Sequence, residues 1–256
     1  MVFVGGLHRS GTTPLARCLA AHPLVSGFSG TGVREDEGQH LQGVYPPVRT
    51  FGGAGRFAFA PAAHLTERSP LATGEAGARL YDQWRQHWDL SRPVLVEKSP
   101  PNLIMTRFLQ SLFPDARFVI VVRHPVVVTL STRKWARRVP LGRLMEHWFH
   151  AHDLFATDAP QLRHVQVVKY EDLVRQPERT LAAVGRFLEL AEPPPADTLQ
   201  RHRSSRYEQQ WLSWASSRQP WLSRRYRRLC RRYEDRAGRY GYSMRDLAVT
   251  RPFPVR

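Results

Sequence analysis

The chain has little cysteine, little lysine and no long apolar run. Its 256 residues include two cysteines, Cys18 and Cys230, which argues against a disulfide framework or a cysteine-rich zinc site. No apolar run approaches the length that a membrane-spanning helix needs. Lysine stands at only three positions, so the 38 basic residues are mostly arginine, against 22 acidic residues. The formal charge of +16 predicts attraction to an anionic partner.

The length and the hydrophobic content of 42% are typical of one globular domain. We expect a single domain over residues 1–256, with a nucleotide-binding core over 1–190 and a helical part rich in arginine and aromatic residues over 191–256. A glycine-rich loop begins a few residues after Met1, so we expect no signal peptide. We therefore expect a cytoplasmic protein without a membrane span.

The segment from Gly5 to Thr13, GGLHRSGTT, predicts a phosphate-binding loop. An apolar run over residues 2–4 precedes it and predicts a strand, and a stripe of Leu15, Cys18 and Leu19 predicts the helix that follows. We expect Thr13 to cap this helix and Pro14 to occupy its first position.

The spacing of Gly6 and Gly11 matches the nucleotide-triphosphate loop G-x-x-x-x-G-K-[ST], but Thr12 stands where that loop has lysine. Arg9 is the substitute cation, and its guanidinium can bind two oxygens at once. A glycine-rich turn that only connects a strand to a helix is the alternative interpretation.

Apolar segments alternate with helical ones along the chain. Strands are predicted at 24–28, 93–97, 116–122 and 165–168, and helices at 78–90, 103–112, 126–138, 141–156 and 177–190, with a helical part up to 242. Residues 43–61, rich in glycine, proline and aromatics, predict a loop that could act as a lid. This order predicts an α/β fold, a P-loop-like three-layer αβα architecture with a central parallel sheet of about four to five strands.

Ligands of such sheets bind outside the carboxyl ends of the strands. The residues at these ends are basic: Arg9, Lys98, Arg123 and Lys169. A magnesium-nucleotide enzyme normally places an aspartate there to hold the metal. The pattern therefore favours a polyanionic ligand whose charge the protein neutralises without a metal.

Four segments, in this order, resemble the family of sulfotransferases that use 3'-phosphoadenosine-5'-phosphosulfate (PAPS). The likeness is closest to the tyrosylprotein and carbohydrate branches and their bacterial relatives, and it spans residues 3–190. The segments are Arg9-Ser10-Gly11-Thr12-Thr13, then Glu97-Lys98-Ser99-Pro100, then Arg123-His124-Pro125 with Ser131, and finally Lys169-Tyr170-Glu171-Asp172-Leu173.

The resemblance implies a role for each matching residue. The 5'-phosphate would lie on the loop, with Arg9 against the phosphosulfate bridge, and Tyr170 would lie near the adenine. Lys98 would neutralise the charge that develops on the bridging oxygen. Arg123 and Ser131 would select the 3'-phosphate, and the product would be adenosine 3',5'-bisphosphate (PAP). The loop residues implied for the 5'-phosphate are Ser10, Gly11, Thr12 and Thr13.

A base must take the proton of the acceptor. The tyrosylprotein branch has an acidic base after its second strand, where this chain has an acidic turn, and we choose Glu37. The alternatives are Glu35, Asp36 and His40, and the turn could also be a solvated acidic loop. His124, beside Arg123, is expected to be structural rather than catalytic.

Several aromatic and basic residues allow two interpretations. Tyr170 could be a core residue, and Glu171-Asp172 a helix-capping pair. The arginines of 218–239 are interpreted as a solvated basic face, and residues 201–206 as a segment that could close the donor site. We expect a core position for Trp84, Trp88, Trp135 and Trp148, and a position in the acceptor wall for Trp211, Trp214 and Trp221.

The sequence thus predicts an enzyme, a PAPS-dependent sulfotransferase that acts on a small-molecule or glycan acceptor without a metal. Nucleic acid is not an expected partner. Two alternatives remain open at this point. One is a phosphate-loop kinase or NTPase with a degenerate loop, and the other is a basic nucleic-acid-binding protein.

Overall fold

A five-stranded parallel sheet forms the centre of the computed structural model, which describes residues 1–199 and 205–254. The strands lie in the order β2-β3-β1-β4-β5. All pairs are parallel, so the Val, Ile and Phe runs of the sequence are covered on both faces. The strands are β1 (Val2–Gly5), β2 (Val25–Gly27), β3 (Val94–Lys98), β4 (Arg117–Val122) and β5 (Val165–Lys169).

Helices cover both faces of this sheet. They are α1 (Thr12–Ala20), α2 (Gly74–Trp84), α3 (Thr106–Leu112), α4 (Pro125–Thr132), α5 (Leu141–Asp158), α6 (Tyr170–Arg175), α7 (Pro177–Phe187), α8 (Ser205–Ala215) and α9 (Pro220–Arg239). The predicted three-layer α/β architecture with a parallel sheet is confirmed. Within the described residues no helix is both long enough and apolar enough to cross a membrane.

Side chains alternate between the two faces along each strand. On β1, Val2 and Val4 pack with α1, α6 and α7, whereas Phe3 packs with the larger cluster of α2 to α5, α8 and α9. This period of two is what a strand imposes. The aromatic C-terminal helices α8 and α9 thus share one hydrophobic core with α2 to α5.

Several predicted boundaries are wrong. The helix expected at 78–90 begins earlier and ends at Trp84, and the one at 126–138 ends at Thr132. The helix expected at 103–112 is divided, because a 3-10 turn over Pro100–Ile104 precedes α3. The predicted loop over 43–61 contains 3-10 turns at Val48–Phe51 and Phe57–Phe59.

The loop between β1 and α1 depends on two glycines. Gly6 has φ 149° and Gly11 has φ 106°, a region that disfavours side chains. A Cβ at Gly6 would lie 2.4 Å from the carbonyl oxygen of Val121, and one at Gly11 would lie 2.2 Å from the ring of Tyr170. Gly11, and not Thr13 as predicted, is the N-cap of α1.

Candidate active site

The candidate site lies at the carboxyl edge of the sheet. In a parallel sheet the strand ends meet at one edge, and here Val4 is in register with Lys98, and Val122 with Lys169. The loop after β1 runs across this edge into α1. The first-turn N–H groups of a helix have no partner within it, so they can bind an anion together.

Arg9, Arg123 and Ser131 come together beside this loop. The Arg9 Nε donates to the Ser131 hydroxyl at 2.8 Å, and an Arg123 Nη donates to the Arg9 carbonyl oxygen at 2.9 Å. Arg9 is a non-glycine residue with φ 72°, so its backbone is held in the left-handed region. Three residues that lie up to 122 positions apart in the sequence thus form one contact group.

Tyr170 completes this group, which we call the arginine cluster (Arg9, Gly11, Arg123, Ser131 and Tyr170). The Arg123 guanidinium carbon lies 3.9 Å from the centre of the Tyr170 ring, a cation–π contact. The same ring packs on Gly11, where a Cβ could not fit. Burial lowers the pKa of Arg123, although arginine stays charged at any pH near neutrality.

The hydroxyl of Ser10 is an unusual feature of the loop. Ser10 is buried, yet its Oγ has no hydrogen-bond partner within the part of the chain that the structure describes. A buried polar atom without a partner costs free energy, so such an atom is expected to bind a ligand or water. Its position in the loop fits a phosphate oxygen.

Lys98 lies where β3 meets the acidic turn. Its Nζ donates to the Glu35 carbonyl oxygen at 2.6 Å and lies 3.5 Å from a carboxylate oxygen of Glu37. Both Glu35 and Asp36 have a positive φ, at 55° and 48°. Such strained backbone is concentrated at functional sites, because it persists only where surrounding contacts hold it. Lys98 is one of these contacts.

Burial and neighbouring groups shift the pKa values of Glu37, Asp36 and His40, three of the candidate bases, in different ways. Burial raises the pKa of Glu37, although Lys98 and Gln39 oppose the shift. For Asp36, burial is outweighed by hydrogen bonds from Thr31, which lower its pKa. Burial lowers the pKa of His40, and nearby arginines add to the effect. Glu37 is therefore a stronger base than Asp36, which favours it of these two carboxylates.

A cavity of about 1100 Å³ opens beside Glu37. Its wall carries six cationic side chains but only two carboxylates, Glu35 and Glu37. His8, next to Arg9 in the loop, also lines it, and burial lowers the pKa of His8 to about 3, so this ring is neutral. The cations are Arg34, Arg49, Arg56, Lys134, Arg137 and Arg138.

A second cavity of about 630 Å³ lies on the other side of the acidic turn. Thr13, Glu35 and Lys98 line it, and Glu35 lines both cavities. The Thr13 hydroxyl donates to the Glu35 carboxylate at 3.3 Å. The acidic turn and Lys98 thus form the boundary between a space that reaches α1 and a space that reaches Glu37.

Trp135 is the clearest functional candidate that the sequence analysis missed. We expected it in the core, but it is 51% exposed and lines the larger cavity. The guanidinium carbons of Arg9 and Arg34 lie 4.9 Å and 5.1 Å from the centre of its ring. Trp84, Trp88 and Trp148 are buried, as predicted.

Trp211 and Trp214 are buried in the core and do not form an acceptor wall, so that prediction is wrong. Trp221 is 59% exposed. Of the segment predicted to close the donor site, residues 201–204 lie outside the described residues. Tyr207 of α8, which the sequence analysis did not single out, is buried near Ser131, and hydrogen bonds from Ser131 and Arg206 outweigh burial and lower its pKa.

His124 has the structural role that we expected. Its Nδ1 accepts from the N–H of Val126 at the start of α4, and its Nε2 bonds the Ser243 carbonyl oxygen at 3.0 Å. Burial lowers the pKa of His124 to about 4, so the ring is neutral. Glu171 is no helix cap, because its carboxylate accepts from the His124 N–H and from the Tyr242 hydroxyl.

A family model described as "Sulfotransferase family" matches residues 2–194 of the chain. The chain is also similar to the protein-tyrosine sulfotransferase of Drosophila melanogaster, at 25% identity over 74% of this chain and 38% of that protein. Protein-tyrosine sulfotransferase 2 of Gallus gallus is 25% identical over 79% of this chain and 53% of its own length. The chain therefore spans about half of these curated relatives, or less.

Among solved structures, the sulfotransferase domain of the Synechococcus olefin synthase has a similar fold. The match has a TM-score of 0.50 and 22% identity, and it covers 82% of this chain and 79% of that domain. This likeness bears on the fold alone, and it agrees with the parallel sheet and flanking helices described above.

Proposed function

The chain belongs to the sulfotransferase family, and on that basis we propose that it moves a sulfuryl group from PAPS to a hydroxyl or amine acceptor. The observation that carries the proposal is the arginine cluster beside the N-terminus of α1. It joins the loop cation Arg9 to Arg123, which directly follows β4, and to Ser131 of α4. A donor with phosphate groups at two positions needs two anion sites close together, and this cluster supports both.

We assign the donor groups as follows. The 5'-phosphosulfate lies on the loop, where the α1 amides and the Ser10 hydroxyl donate to it. Arg123 and Ser131 bind the 3'-phosphate, which distinguishes this donor from ATP. Tyr170 fixes the plane of the Arg123 guanidinium through its ring contact. Each charge-assisted hydrogen bond contributes about 1.5–3 kcal/mol, so several together hold a nucleotide.

Transfer takes place at the boundary between the two cavities. The acceptor oxygen or nitrogen attacks sulfur in line, its bond to sulfur forms, and the bond from sulfur to the bridging oxygen breaks. Lys98 stabilises the charge on the leaving oxygen, and this interaction is strongest in the transition state. The Glu37 carboxylate accepts the proton of the acceptor and later releases it to solvent, while PAP departs.

The charge on donor and leaving group is balanced here by side chains. Arg9, Lys98 and Arg123 all lie at the edge of the sheet, and the transferred sulfuryl group carries less negative charge than a phosphoryl group. We therefore propose that the transfer needs no divalent cation. The direct check is turnover in the presence of a chelator.

The acceptor, in our proposal, is itself anionic. The larger cavity has six cations and two carboxylates in its wall, and one of these carboxylates is the proposed base, Glu37. Clefts lined by one sign of charge raise the local concentration of ligands of the opposite sign. A small molecule or glycan that carries a carboxylate, phosphate or sulfate group beside its reacting hydroxyl fits this wall best.

A matched pair of phenols tests both proposals. The release of PAP from PAPS is measured in the presence of a chelator, once with 4-hydroxyphenylacetate and once with 4-methylphenol. Both molecules have a phenolic hydroxyl, but only the first carries a carboxylate. We expect faster release with the anionic phenol. Equal rates would contradict the anionic acceptor, whereas release that requires added magnesium would contradict metal-independent transfer.

A further inference from the structure

Glu97 is a fully buried carboxyl group to which the proposed reaction gives no role. It lies at the end of β3, next to Lys98, and its exposed fraction is 0%. Buried strand positions in parallel sheets are usually apolar, and a buried carboxylate costs free energy unless it is fully hydrogen-bonded. The hydrogen bonds of Glu97 show which residues this carboxylate keeps in place.

Both carboxylate oxygens of Glu97 accept hydrogen bonds. The Ser99 hydroxyl donates to Oε1 at 2.6 Å, and the Asn102 side-chain amide donates to Oε2. Burial raises the pKa of Glu97 to about 7, although these two hydrogen bonds and Lys98 oppose the shift. An ionised carboxylate offers one oxygen to each of these two donors, whereas an amide in its place would set an NH2 group against one of them.

A chain of hydrogen bonds connects Glu97 to Glu37. Because the only hydroxyl hydrogen of Ser99 points to Glu97, a lone pair of its Oγ is left to accept the Gln39 N–H at 3.0 Å. The side-chain amide of Gln39 in turn donates to Oε2 of Glu37. The link therefore crosses about sixty residues of sequence and ends on the carboxylate that we assign as the base.

Gly38, the residue between Glu37 and Gln39, also lies against Glu97. A Cβ on Gly38 would be 2.4 Å from Oε1 of Glu97, so only glycine allows this approach. The Trp84 indole N–H donates to the Gly38 carbonyl oxygen at 3.0 Å and is a second contact that holds this residue. Both the Glu97 carboxylate and the Trp84 indole thus contact the residue that follows Glu37.

We propose that Glu97 is a positioning residue for the base: through Ser99 and Gln39 it sets the direction of the Glu37 carboxylate beside Lys98. This inference rests on the proposed function, because it assumes that Glu37 accepts the proton of the acceptor. Glu97 itself does not contact the reacting atoms in this assignment.

The test is a double-mutant cycle of Glu97→Gln and Glu37→Gln, read out as single-turnover PAP formation from PAPS with water as the acceptor. We expect Glu97→Gln alone to reduce the rate about 10- to 100-fold, since a misplaced group can cost that much. PAP affinity should change less than about twofold. In the Glu37→Gln background the same change should have no further effect.

Two variants at Ser99 test the link while keeping the Glu97 carboxyl group itself. Ser99→Ala removes the hydroxyl and should lower the rate in the same way, whereas Ser99→Thr keeps it and should retain the rate. If Glu97→Gln does not fold, this pair decides. Asp158→Asn is the matched control, because Asp158, the last residue of α5, is an equally buried carboxylate whose partners are His64 and Arg107.

The control should lower the melting temperature and leave the rate of the folded enzyme unchanged. Equal losses from Glu97→Gln in both backgrounds would overturn the proposal, and so would an unchanged rate in Ser99→Ala. If water gives no measurable rate, exchange of the Gln39 amide hydrogen decides: faster exchange in Ser99→Ala supports the link, and unchanged exchange refutes it. Failure of the wild type to bind PAP would instead refute the proposed function.

Discussion

Arg123→Ala should weaken the binding of PAP far more than that of AMP. Arg123 is assigned to the 3'-phosphate, which AMP lacks. The loss of one or two charge-assisted hydrogen bonds, at about 1.5–3 kcal/mol each, corresponds to roughly 10- to 150-fold weaker binding for each bond. Titration calorimetry of both nucleotides with wild type and variant measures this difference.

The structure also predicts a smaller loss that both nucleotides share. Arg123 donates to the Arg9 carbonyl oxygen and lies on the Tyr170 ring, so its removal loosens the loop that holds the 5'-phosphate. The loss in AMP affinity measures this effect on the loop. The additional loss in PAP affinity measures the contribution of Arg123 to binding of the 3'-phosphate. Arg123→Lys is the control that keeps the charge but not the planar fork.

Equal losses of affinity for PAP and AMP in Arg123→Ala would refute the assignment. Arg123 would then support the loop only, and the 3'-phosphate would have to bind elsewhere. A loss confined to PAP, with AMP binding unchanged, would leave the assignment standing and show that the loop keeps its shape without Arg123.

Three further outcomes are expected. Glu37→Gln should leave PAP affinity unchanged and reduce single-turnover rates by about 10²- to 10⁴-fold, and an unaltered rate would move the base elsewhere. Because burial raises the pKa of Glu37 and a base must be ionised, the rate should rise with pH through a value above that of an ordinary glutamate, and Glu37→Gln should abolish this rise. Gly11→Ala should lower the melting temperature by about 2–10 °C, since φ is 106° and the Tyr170 ring occupies the space of a Cβ. Gly74→Ala, where a Cβ meets nothing within 4 Å, should leave the melting temperature nearly unchanged.

The sheet could be predicted because local signals agreed with the global fold. The run at 116–122 is buried almost throughout and the run at 165–168 only at its end, yet both are rich in valine and form parallel strands as predicted, and a basic residue follows each run. Helix ends were harder to predict. Nothing in the composition of 133–138 marks the end of α4 at Thr132, which leaves Trp135 outside the helix and on the cavity wall.

The C-terminal tryptophans were misjudged for a related reason. Trp211 and Trp214 stand in a polar part of the sequence and were therefore predicted to form an acceptor wall, but Tyr207, Trp211 and Trp214 recur at helical spacing and pack inward. The network from Glu37 to Glu97 was out of reach altogether. It joins residues about sixty positions apart through one serine and one glutamine, and neither residue type signals such a contact on its own.

The central claim is that one cluster binds both phosphate ends of an adenosine bisphosphate without a metal. Its most direct test is a thermal melting series in the presence of a chelator. The wild-type protein is melted with PAP, AMP or ATP at equal concentrations, and ATP is repeated with magnesium. We predict that PAP raises the melting temperature most and that the chelator does not diminish the shift. Stabilisation by ATP only when magnesium is present, with none by PAP, would contradict the account.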